Sequence, residues 1–126
     1  MPLVEITLRK GHSPEFLRSA GEAVHEALVA EGNVPPDDRF QIFHLVDSGQ
    51  VIAHPTYGGV SRSDDLVVIK ITLNAGRTTE VKKKLYAEIA RRLERAVDVR
   101  PDDVLVCLVE VSKENWSFGK GVATYG

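Results

Sequence analysis

Apolar and polar positions alternate from the first residues of this chain. Pro2, Val4, Ile6 and Leu8 fall on one side of a two-residue period, and Leu3, Glu5, Thr7 and Arg9 on the other. That is the pattern of a strand. Gly11 breaks the run, Ser13 is placed to cap a helix, and Pro14 suits its first turn. Leu17, Ala20, Val24, Ala27 and Leu28 recur at helical spacing, and Gly32-Asn33 ends that helix. Phe40 to Val46 reads as a second strand. Leu66 to Leu73 reads as a third, Thr78 stands as the next helix cap, and Val81, Leu85, Ile89, Leu93 and Ala96 line a second helix. Val104 to Val111 is the last long strand.

The order of elements repeats because the sequence repeats. A shift of 65 positions, without a gap, pairs Ile6-Thr7-Leu8 with Ile71-Thr72-Leu73, Gly11 with Gly76 and Glu15 with Glu80. It also pairs Leu28 with Leu93, Val34 with Val99 and Pro36-Asp37-Asp38 with Pro101-Asp102-Asp103. Two copies are too few for a solenoid, so this is a duplicated supersecondary unit. Each copy is strand, helix, strand, which implies a parallel crossover. The expected fold is α/β (α+β): two tandem β-α-β units giving a four-stranded sheet with two helices on one face. Residues 1–126 form a single domain, with pseudo-repeats at about 1–60 and 61–126. The other sheet face is left open, and parallel strands are rarely left uncovered. The chain is therefore expected to associate through that face, with Gln50 to Tyr57 and Trp116 to Tyr125 bridging neighbours.

Composition narrows the function classes. At 126 residues and a net charge of −2, the chain can bury a core and has no general attraction for nucleic acid or an anionic membrane. The basic residues Lys82, Lys83, Lys84, Arg91, Arg92 and Arg95 are interleaved with Glu80 and Glu88, a solvated helix face with Glu80–Lys84 and Glu88–Arg92 pairs. No signal peptide and no membrane-length apolar run is seen. The single cysteine, Cys107, fits a reducing cytoplasm and is expected to be a small buried hydrophobe within Val104 to Val109. His12, His25, His44 and His54 show no metal-ligand spacing, and nothing calls for a cofactor.

The candidate chemistry sits at the head of the chain. Removal of Met1 would leave Pro2 as a free secondary amine, able to accept a proton or attack a carbonyl. A free α-amino group titrates at about 7.7–8.0. Burial would lower that value and a nearby carboxylate would raise it. The alternative is that Pro2 only starts an edge strand, where its missing N–H does no harm.

Taken together and in order, these residues resemble the tautomerase superfamily over essentially the whole chain. Pro2 stands where that family has its catalytic proline. Gly76-Arg77-Thr78-Thr79-Glu80 resembles the family's Gly-Arg-Ser-x-Glu turn, and Trp116-Ser117-Phe118-Gly119-Lys120-Gly121 its late aromatic-glycine segment. Within the superfamily, Val34-Pro35-Pro36-Asp37-Asp38-Arg39-Phe40-Gln41 looks most similar to the malonate semialdehyde decarboxylase group. The resemblance implies trimeric assembly, Pro2 and Asp38 as catalytic residues, and Arg77 as the binder of a substrate carboxylate. It also implies Trp116 and Phe118 as walls of the site. One departure is Asn74, which stands about where that group carries a second arginine and is expected there to contact the substrate. Another is His12, which holds the first-copy position equivalent to Arg77.

The expected reaction is proton transfer beside the carbonyl of a small oxo acid, with Pro2 as base and acid. The first expectation is keto–enol isomerisation of a 2-oxo acid such as phenylpyruvate. A malonate semialdehyde decarboxylase or hydratase is the alternative, ranked lower because that pattern uses two cations. A non-catalytic trimeric binding or signalling module, as the resemblance to macrophage migration inhibitory factor suggests, is the third. Asp38 also has a plain structural reading, since Asp103 repeats it in the same Pro-Asp-Asp turn.

Overall fold

The computed structural model describes residues 1–125. Strand β1 (Pro2–Arg9) leads into helix α1 (Pro14–Glu31) and strand β2 (Phe40–Val46). Strand β3 (Val67–Asn74), helix α2 (Thr79–Val97) and strand β4 (Val104–Val111) repeat the order. Both helices start where their caps place them. Ser13 Oγ accepts from Phe16 N–H and Thr78 Oγ1 from Val81 N–H, each satisfying one of the free donors of a first turn. Gly11 and Gly76, 65 positions apart, both take positive φ, 108° and 128°, so the same turn follows β1 and β3. Helix α2 ends on Asp98 in the left-handed region, φ 58°.

The four strands form one sheet in the order β2-β1-β3-β4. Strands pair in parallel within each unit, and β1 meets β3 antiparallel at the join. The expected architecture is thus observed, with β3 one residue later than the alternation suggested. Val4, Ile6 and Leu8 of β1 and Val67, Ile69, Ile71 and Leu73 of β3 face the helices. There they pack with Ala20, Val24, Ala27 and Leu28 of α1 and Leu85, Ile89 and Leu93 of α2. These side chains are essentially removed from water, and each large one contributes about 1.5–3 kcal/mol by its burial.

The opposite sheet face is open. By register it carries Leu3, Glu5 and Thr7, flanked by Phe40, Ile42 and His44 on one side and Val68, Lys70, Leu105 and Cys107 on the other. Phe40 and Ile42 are 46% and 44% exposed, more than an apolar strand residue retains when its face is packed. Cys107 belongs to this face and is exposed, which corrects the expectation of a buried thiol. An unbroken apolar run hides which residues point outward, and pairing opposite Lys70 settles it. The α2 charge pairs differ in one respect: Glu88 holds both Arg91 and Arg92, whereas Glu80 meets Lys83 rather than Lys84.

Candidate active site

One end of the sheet gathers almost every residue singled out in the sequence. Here β1 and β2 begin and β3 ends, because Pro2 pairs with Leu73 and Leu3 with Phe40. Pro2 is fully buried. The turn Pro35–Asp38 enters β2 beside it, closed by a hydrogen bond from Asp38 N–H to the Pro35 carbonyl at 3.0 Å. The amino group of Met1 lies 3.4 Å from Asp38 Oδ2. The other carboxylate oxygen, Oδ1, is buried with no hydrogen-bond partner among the described residues. A buried acceptor without a partner is uncommon enough to need a reason, and a ligand or a mobile proton is one.

The duplication supplies an internal comparison. Asp103 is the counterpart of Asp38 and is only 1% exposed, yet both its oxygens are bound. Ser63 donates to it twice, N–H to Oδ1 at 2.7 Å and Oγ–H to Oδ2 at 2.6 Å. Asp103 therefore anchors the loop before β3, and the structural reading belongs to it. Asp38 has no such cap and faces the head of the chain. A cavity of about 200 Å³ opens at the far end of the sheet, lined by Leu8, Arg9, Val46, Arg62 and Leu66 among others. Neither Pro2 nor Asp38 lines it.

Arg77 follows the β3 turn and is half-buried. Its Nε donates to the Gly32 carbonyl at 2.7 Å and Nη1 to the Asn74 carbonyl at 3.1 Å. The guanidinium is thereby fixed against the end of α1, and Nη2 makes no hydrogen bond among the described residues. Only part of the expected donor fork remains for a carboxylate. Nearby, Lys82 bonds Glu110 at 2.8 Å, and that contact, ahead of the Arg77 charge, holds the Glu110 carboxyl below its ordinary range.

Asn74 has a different task from that of an arginine. Its Oδ1 accepts from Trp116 Nε1–H at 2.7 Å, and its Nδ2 reaches the Tyr125 hydroxyl at 3.4 Å. Trp116 and Phe118 meet edge to face at 6.0 Å between ring centroids, and Phe118 meets Tyr125 at 5.5 Å and Phe40 at 6.1 Å. The late segment thus folds back onto its own sheet and walls this end of it. The sequence marks Tyr125 only as the end of a segment expected to bridge neighbours, since nothing in its spacing ties it to Asn74. His12 lies elsewhere, stacked on Phe16 at 3.9 Å, and partial burial followed by the Arg9 charge lowers its pKa.

A duplicated β-α-β unit giving a four-stranded sheet in the order β2-β1-β3-β4 with two helices on one face is a fold of the tautomerase class. A family model described as tautomerase enzyme matches residues 38–119, and a second with the same description matches residues 2–60. The chain is 41% identical to the probable tautomerase YusQ of Bacillus subtilis (strain 168) over 98% of its length and 97% of the relative's. It is 34% identical to the probable tautomerase YrdN of the same organism, over 99% and 96%. Among solved structures, malonate semialdehyde decarboxylase, with decarboxylase and hydratase activities, superposes with a TM-score of 0.91 at 33% identity, covering 98% of this chain and 95% of that one. A malonate semialdehyde decarboxylase inhibited by 3-bromopropiolate gives 0.91 at 37% identity, over 98% and 93%. This chain belongs to the tautomerase family, and it is an enzyme of that family.

Proposed function

We propose that this enzyme interconverts the keto and enol forms of a small 2-oxo acid of phenylpyruvate type, with Pro2 as its proton-transferring amine. The observation that carries the reading is Asp38, whose carboxylate lies 3.4 Å from the amino group at the head of the chain and keeps one buried oxygen free. That amino group is the one of Met1; once Met1 is removed, the Pro2 nitrogen, one residue further along, becomes the chain-terminal secondary amine on the side that Asp38 faces. The amine takes the proton from the carbon beside the substrate carbonyl and returns it to the carbonyl oxygen, giving the enol. Arg77 Nη2 holds the substrate carboxylate, and Trp116 and Phe118 keep water from the reacting carbon.

The test is phenylpyruvate enolisation by protein whose intact mass shows that Met1 is gone. Activity is expected in the wild type and absent in Pro2→Ala, and equal rates in the two would remove proline catalysis. Malonate semialdehyde decarboxylation or hydration is the second reading. It is favoured by the similarity to two such enzymes over nearly the full chain, and disfavoured by Asn74, whose side chain is taken up by Trp116. Carbon dioxide release from malonate semialdehyde exceeding phenylpyruvate turnover would reverse the order. The exposed Phe40, Ile42 and Cys107 support assembly as a trimer through the open sheet face.

A further inference from the structure

We propose that His25 is a positioning residue for Asp38, the head of a clamp on α1 that sets the carboxylate against the chain-terminal amine. The inference rests on the role given to Asp38 above. His25 is only 7% exposed, on the buried face of α1, and its Nε2 lies 2.8 Å from the Pro36 carbonyl. A carbonyl only accepts, so Nε2 carries the proton and donates. Pro36 lies inside the turn that Asp38 N–H closes on Pro35. The imidazole therefore fixes the peptide two residues before the carboxylate.

Two further contacts one helical turn earlier grip the other side of Asp38. Arg39 Nη1 pairs with Glu22 at 2.6 Å, and Gln41 Nε2 donates to the Gly21 carbonyl at 2.8 Å. Gly21 allows this approach, because a Cβ there would stand 2.7 Å from Gln41 Oε1. Gly21, Glu22 and His25 thus hold the segment from Pro36 to Gln41 along one stretch of helix.

The second unit lacks every part of this device. At the shift of 65, Gly21, Glu22 and His25 become Tyr86, Ala87 and Ala90, while Arg39 and Gln41 become Val104 and Val106. Its aspartate, Asp103, is held by Ser63 instead. A clamp needed merely to fold the Pro-Asp-Asp turn would be expected in both copies. It is present only in the copy whose carboxylate has a free oxygen. Helix α1 holds the Pro36 carbonyl on one side of Asp38 and the Arg39 and Gln41 side chains on the other, and itself makes no bond to the carboxylate, whereas Ser63 occupies the carboxylate of Asp103.

The experiment is a double-mutant cycle on phenylpyruvate turnover, with the fold of each variant checked by circular dichroism. His25→Leu keeps most of the volume and loses the donor. It is expected to lower kcat about tenfold with KM little changed, and His25→Gln, which can still donate, to recover most of the loss. In an Asp38→Asn background, His25→Leu is expected to cost nothing further, because the group it positions is gone. A loss of equal size in that background, or a Gln variant as impaired as Leu, overturns the proposal and leaves Asp38 catalytic. An Asp38→Asn enzyme with full activity sinks both the role of Asp38 and the clamp. Should His25→Leu fail to fold, Arg39→Met severs the Glu22 arm at the surface and carries the same expectation with a smaller factor. A crystal structure of the folded variant gives a readout free of any choice of substrate: Asp38 unmoved would overturn the clamp.

Discussion

The indole N–H of Trp116 donates to Asn74 Oδ1 at 2.7 Å, tying the chain's single tryptophan to the end of β3. A position at which relatives of the decarboxylase kind are expected to carry a substrate-binding cation here fastens an aromatic wall. The Tyr125 hydroxyl shares the same amide.

Asn74→Ala removes the acceptor and leaves the indole donor without its partner. Tryptophan fluorescence is expected to shift to the red and become more accessible to acrylamide, with kcat/KM falling about tenfold, equivalent to roughly 1.4 kcal/mol. Asn74→Asp keeps an acceptor and should retain the emission maximum. Unchanged emission and quenching in Asn74→Ala would show that packing on Phe118 suffices to hold the ring.

Ser63→Ala tests the division of labour between the two aspartates. Asp103 is almost fully buried and would lose its 2.6 Å hydroxyl donor. A hydrogen bond to a carboxylate is worth about 1.5–3 kcal/mol, so the midpoint of thermal unfolding should fall by roughly 6–11 °C. Turnover at low temperature should be unaffected. A variant that kept its stability and lost its activity would contradict the structural assignment of Asp103.

Acid sensitivity should be visible at Glu88. Its bonds to Arg91 first and Arg92 second bring its pKa down to about 2. A carboxyl held below its unfolded value stabilises the fold above that value and loses the contribution as pH falls towards the folded one. The stability slope between about pH 4.5 and pH 2 should therefore be shallower in Glu88→Gln, by no more than about 1 kcal/mol because the cluster is surface-screened. Parallel slopes in urea titrations of the two proteins would count against it.

Cys107 reports on the open face. It is exposed in the single chain and paired across from Lys70. If a trimer covers that face, the thiol should react with an aromatic disulfide reagent far more slowly than in urea, and Cys107→Arg should sediment as a monomer. Rapid stoichiometric labelling of the native protein would leave the face uncovered.

Much of this fold was legible beforehand because the information was local. Ser13 and Thr78 cap helices through bonds spanning three residues, and the two-residue period of β1 names Val4, Ile6 and Leu8 as core. The β4 run was less informative: Val104 to Val109 is apolar on both faces, and only pairing with β3 turns Cys107 outward. Glu80 chose Lys83 over Lys84 because both spacings lie within reach on a helix surface.

The family resemblance, and not periodicity, named the residues that meet at one end of the sheet; the sequence by itself determined the duplication and the order of strands and helices. It did so because periodicity and capping act over a few residues and a gapless repeat carries them twice. Their places in the repeat left Asp38 and Asp103 equivalent. Only the tertiary structure separated them, since Ser63 reaches Asp103 across 40 positions while the turn of Asp38 is held from behind by His25, 11 positions away. The same holds for Asn74 and Trp116, 42 positions apart. Such partners are chosen by the path of loops around a finished core, and no period along the chain encodes that path.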